Sequence, residues 1–122
     1  MNPITMLRVA VVLLAIAALG GVVMAATRLS QEKNPSSWLA LLHGLLAASG
    51  LTLLIYAALT AGIPPLATAG VALLLIAALI GVVLNQNYQW KAVLIPRGMM
   101  VGHAALAVIG FVLLLLTAWR GA

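Results

Sequence analysis

The 122-residue chain has no cysteine and a single acidic residue, Glu32. The first absence excludes disulfides, thiolate metal sites and cysteine nucleophiles. The second excludes paired-carboxylate catalysis and a buried acidic proton relay, since both need more than one carboxylate. Charge of either sign is scarce. Only 6% of the residues are charged, where a soluble domain carries about a quarter. With 66% of its residues hydrophobic, a soluble fold of this size could not cover its apolar surface, so the solvent is lipid. The net charge of +5 is therefore no sign of nucleic-acid binding. The basic residues are scattered at segment ends, where they anchor helices and set topology.

What is present is four apolar runs, roughly Ile4–Thr27, Trp38–Thr60, Leu66–Leu84 and Gly98–Trp119. Each is close to the ~20 residues that a helix needs to span hydrocarbon. The breaks between them are punctuated as turns are. "RLSQEKNPSS" brings charges, Asn34–Pro35 and the N-cap candidates Ser36 and Ser37. "AGIPPL" is a tight turn around Pro64–Pro65, and "NQNYQWKAVLIPRG" ends in Pro96 just before the last run. The first run is longer than a signal-peptide core and resembles the third, so it reads as a retained helix. Four spans put both termini on one side and loops 1 and 3 on the other. Those loops hold Arg28, Lys33, Lys91 and Arg97, against Arg8 and Arg120 at the termini. The positive-inside rule places loops 1 and 3 in the cytoplasm and both termini outside, in a bacterial inner membrane. Trp38, Trp90 and Trp119 fall at span ends as ordinary interface anchors.

The chain repeats itself at an offset of 60 residues. "VVLLAIAALGGVV" (11–23) lies over "VALLLIAALIGVV" (71–83) with identity at ten of thirteen positions. At the same offset His43 falls on His103, and seven of sixteen positions match from His43 to Ala58. Unrelated Ala/Leu-rich helices would match at about one position in five. The predicted fold is thus all-α: one domain over 1–122, a four-transmembrane-helix bundle of two tandem helical hairpins, about 4–62 and 66–122. An even number of spans per repeat makes this a parallel repeat, with a pseudo-twofold axis along the membrane normal.

That repeat puts His43 and His103 at the same depth on the second and fourth helices. Their helical neighbours at i+3, i+4 and i+7 are Leu46, Ala47 and Gly50, and Leu106, Ala107 and Gly110. Counting back along the antiparallel helices brings Gly21 and Gly81 to the same layer. Small residues let backbones approach closely, and equally they leave room for a flat ligand. A polar, ionisable side chain inside a span is costly and points to function. The bland alternative is a neutral imidazole bonding a carbonyl on another helix, and proton handling is a third.

Imidazole suits zinc, copper, nickel and iron. Structural zinc wants four ligands and catalytic zinc about three, and this chain offers two histidines. Haem needs only its two axial positions from protein, so a symmetric pair can complete it alone. Cations on the histidine side suit its propionates, with Arg97, just ahead of the last helix, the first choice. Arg28, Lys33 and Lys91 serve topology and lipid headgroups equally well. Met99 and Met100 lie one turn before His103 on the same helix. They cannot bracket a haem with it and read as packing residues.

The pattern resembles the four-helix membrane b-type cytochromes, in which transmembrane histidines face across a bundle with glycines beside the haem. The resemblance is carried by the architecture and by "H-x-x-L-A-x-x-G" at His43–Gly50 and His103–Gly110. It implies one haem b per chain, with His43 and His103 as axial metal ligands. Around it would lie Ala47, Gly50, Ala107, Gly110, Gly21, Gly81 and Arg97. A six-coordinate low-spin iron favours electron transfer over enzymatic oxygen chemistry. Members of that class typically use four histidines and two haems to cross the membrane. With two histidines, this chain would exchange electrons at one face. The expected partners are the bilayer, a quinone or redox protein, and a second copy in a homodimer. Small multidrug exporters have this size and span number, but they depend on an acid in the first span that is lacking here. Histidine-coupled proton transport and a structural subunit of a larger membrane complex are the remaining alternatives.

Overall fold

The computed structural model describes residues 1–120, and no strand is present among them. Four helices account for the chain: α1 (Pro3–Gln31), α2 (Ser37–Thr60), α3 (Pro65–Leu84) and α4 (Arg97–Arg120). All four are long and apolar enough to cross a membrane. The chain is an integral membrane helical bundle, as its composition requires.

Proline and asparagine set the starts. Asn2 Oδ1 accepts from Thr5 N–H at 2.8 Å and caps α1, with Pro3 in the first turn. Pro64 and Pro65 start α3 after Gly62, whose φ of 76° turns the chain out of α2. Ser36 occupies the N-cap position of α2, as anticipated, but its hydroxyl makes no cap bond. Two helices outrun their apolar cores. α1 continues to Gln31 because its polar residues find partners on the helix itself. Thr27 and Ser30 donate to the carbonyls four residues back, and Arg28 lies in the last turn, where a cation complements the helix dipole. α3 continues into a π-helical turn, Asn85–Gln89, closed by Trp90 N–H donating to Asn85 O at 2.8 Å.

The bundle is closed in order around its perimeter. Contact is most extensive within the hairpins, α1 with α2 and α3 with α4, and α1–α4 and α2–α3 join one hairpin to the other. Along its length the bundle has three levels. At the end holding the termini and loop 2, an apolar core draws on every helix: Leu7, Val11 and Leu14, Leu54, Val71 and Leu74, and Leu114. Glycine makes this level tight. A Cβ on Gly110 would stand 2.9 Å from the Gly70 carbonyl oxygen, and one on Gly50 would stand 3.2 Å from the Ala10 carbonyl oxygen. Arg8 fastens the same end, donating from Nε to Ala118 O at 3.0 Å with its guanidinium over Trp119.

At the opposite end, loops 1 and 3 are clamped by polar groups. Buried Arg28 donates from Nε to Ile95 O at 2.6 Å. Asn34 donates to Val93 O and accepts from Ile95 N–H, at 2.8 and 2.9 Å. Gln89 donates to Pro35 O at 2.7 Å. Between core and clamp lies a level in which no residue is fully buried, comprising 18–27, 37–49, 78–83 and 97–109. Both histidines belong to it.

The close glycines generate a prediction. Gly110→Ala should destabilise the bundle by about 1–3 kcal/mol, the usual cost of overpacking. Gly44→Ala and Gly102→Ala, with nothing within 4 Å of the added Cβ, should leave stability unchanged or slightly raised. Equilibrium unfolding in detergent compares the three directly.

Candidate functional site

The middle level is assembled from two equivalent half-sites, one per hairpin. In the first, His43 on α2 lies against α1 with Nδ1 2.7 Å from the Ala17 carbonyl oxygen. In the second, His103 on α4 lies against α3 with Nδ1 2.7 Å from the Ala77 carbonyl oxygen. A carbonyl only accepts, so Nδ1 carries the proton in both rings and Nε2 keeps its lone pair.

A helix carbonyl is normally committed to the N–H four residues on and screened by that residue's side chain. Four residues after Ala17 comes Gly21, and four after Ala77 comes Gly81. With no Cβ there, the carbonyl's second lone pair is open to a neighbouring helix. A Cβ at Gly21 would stand 3.0 Å from His43 Cε1, and one at Gly81 would stand 3.1 Å from His103 Cε1. Each glycine thus seats an imidazole against its carbonyl. Ala17 and Ala77 did not stand out in the sequence. The available signal was the Ala-x-x-x-Gly spacing on the helix antiparallel to each histidine.

The two half-sites meet across the bundle. The imidazole centroids are 6.2 Å apart, with ring planes at 75°. That separation and tilt make an edge-to-face contact between the two rings.

The other anticipated site residues divide. Ala47 and Ala107 follow their histidines by one turn and are half-buried in the same level. Gly50 and Gly110 are fully buried one level deeper, where they close helix against helix. Gly21 and Gly81 underlie the imidazoles themselves. Arg97 begins α4 and is ion-paired with Glu32, which also lies 3.4 Å from Arg28. Met99 and Met100 are half-buried on α4 ahead of His103. Two shallow depressions, of about 400 and 450 Å³, sit nearer the loop end and include neither histidine.

Among the described residues, no three His, Asp or Glu side chains gather as a metal site. The site therefore offers two neutral imidazole donors and no more. That donor set fits haem, which brings its own equatorial ligands, better than a bare ion needing three or four protein ligands.

The seating glycines can be tested through the histidine tautomer. Imidazole ¹⁵N spectra should show Nδ1-protonated rings for both residues. Gly21→Ala should disturb His43 alone and Gly81→Ala His103 alone. Gly20→Ala should leave both spectra as they are, since its added Cβ would meet Leu39 and His43 at an ordinary 3.7–3.8 Å.

No protein-family model, curated protein or solved structure matches the chain, so its functional reading rests on the geometry of this level.

Proposed function

We propose that the chain is a membrane b-type cytochrome that binds one haem between α2 and α4 through Nε2 of His43 and Nε2 of His103 and serves in electron transfer. One observation carries the reading: two imidazoles, each with Nδ1 already engaged, stand 6.2 Å apart across the bundle. An inter-helix hydrogen bond accounts for the Nδ1 contacts, and those contacts favour a purely structural role as the second reading. Those bonds lie within each hairpin and do not by themselves bring the two rings together, which meet edge to face across the bundle. Metal-ligating histidines have this arrangement, with the distal nitrogen on a carbonyl to fix tautomer and orientation.

His43 and His103 would hold the haem, which would supply one-electron chemistry. The chain's own residues do the rest. Ala17 and Ala77 hold the Nδ1 protons and aim the rings. Ala47 and Ala107 keep the level uncrowded, and the apolar core excludes water from below. Each histidine is six residues in from the start of its helix, Ser37 or Arg97, which is about 9 Å along the axis. It is about 25 Å from the other end. The site thus serves the loop 1/loop 3 face. On this reading the positive-inside bias makes that face cytoplasmic, the membrane is a bacterial inner membrane, and a quinone or redox protein would exchange electrons there. Proton-coupled transport is less favoured, since Glu32 lies outside the spans and is held between two arginines.

The test is spectroscopic. Detergent-purified protein supplied with haem should give a sharp Soret band, with resolved α and β bands on dithionite reduction. His43→Ala and His103→Ala should each abolish the low-spin spectrum. A wild-type protein that stays colourless with haem would refute the cytochrome reading. Loss of stability in the histidine variants would then favour the structural one.

A further inference from the structure

Glu32 is the chain's one acid, and its backbone takes a left-handed conformation with φ 54° at the end of α1. Sixty residues on, Ala92 takes the same φ of 54°. The turn therefore asks for this backbone twice and for a carboxylate once, so the Glu32 side chain answers a separate need. Its carboxylate is flanked by guanidiniums from both hairpins: Arg28, one turn earlier on α1, and Arg97, the first residue of α4. Arg28 is buried and fixed by Ile95 O. Arg97 is exposed beside that carboxylate. It lies six residues before His103, about 9 Å along α4, at the loop 1/loop 3 end.

We infer that Glu32 is an internal stand-in for a haem propionate. This rests on the haem reading above. The Glu32 carboxylate holds Arg97 against the loop clamp until a propionate takes that guanidinium, while Arg28 keeps Glu32 neutralised and the loops joined. Nothing covalent changes. One carboxylate replaces another on a planar cation suited to either. The chain's only acid thereby opposes haem entry, and Arg97 supports it.

Haem titrations of the full-length protein in detergent, read at the Soret band, test this with two probes: haem and its dimethyl ester. E32Q leaves Arg97 without its carboxylate, so it should bind free-acid haem about two- to fivefold more tightly than wild type, the range of a half-exposed ion pair. R97Q should bind it more weakly by a similar factor. Neither variant should differ from wild type toward the diester, which has no carboxylate to offer. Equal or weaker binding of free-acid haem by E32Q would overturn the inference, and so would the same change toward the diester. Either result, with the low-spin spectrum intact, leaves the cytochrome reading standing. Failure of every protein to bind either probe would overturn both.

Discussion

The hydrogen bond from each histidine Nδ1 to a helix carbonyl, at Ala17 and at Ala77, is the contact on which the middle of this molecule depends. In hydrocarbon an unpartnered imidazole N–H is expensive, and water is not at hand to relieve it. The neighbouring helix has only carbonyls to offer, and these already accept from their own backbone. Each has a second lone pair, reachable only where the side chain above it is missing. Gly21 and Gly81 remove that side chain. One missing Cβ per hairpin thus settles three things together: the partner of Nδ1, the tautomer, and the tilt that carries each ring toward the bundle's centre.

The three levels follow from this. The glycines that bring backbone close to backbone lie at the terminal end, where Gly50, Gly70 and Gly110 draw the helices together over leucine and valine, whereas Gly21 and Gly81 in the middle level are as close to the imidazoles. The loop end is held by hydrogen bonds and ion pairs in place of apolar burial. Arg28, Asn34 and Gln89 all reach from one hairpin's segment to the other's backbone. The level between is spared from carrying stability, and its inward side chains remain half-buried. Regions that receive ligands are commonly drawn from the less tightly packed parts of a fold for this reason.

How much of this could be read beforehand depends on whether the signal was local. The four spans were legible, because hydrophobic length and proline are local facts. The histidine level was legible too, because the 60-residue repeat aligned His43 with His103 and Gly21 with Gly81. The helix ends at Gln31 and Gln89 were not, since a polar run reads as loop until Thr27 and Ser30 are seen to bond α1 itself and Gln89 to bond Pro35 O of the other hairpin. Gly50 and Gly110 were ambiguous for a different reason. A small residue one turn below a histidine serves a flat ligand or a neighbouring helix equally well, and only the Gly70 and Ala10 carbonyls decide it. The partner of Arg97 was hidden by sequence distance. Glu32 beside Lys33 looks like loop decoration until the two hairpins are placed side by side.

The division of labour between the hairpins bears on affinity as well as on form. Aiming a ligand costs conformational freedom, and a site whose ligands are aimed in advance loses less of it on binding. Here each imidazole is oriented by its own hairpin, through contacts that do not involve the other. What remains is to hold the hairpins at the right spacing, and that task falls to the apolar core at one end and the polar clamp at the other. A change at Ala17 or Gly21 therefore reaches one ring, whereas a change at Arg28 or Asn34 reaches the distance between the two. A single hairpin has one imidazole, one open carbonyl and one seating glycine, which is half of the middle level. The repeat supplies the other half at the same depth. The two rings, seated alike by their own hairpins, then meet edge to face across the bundle.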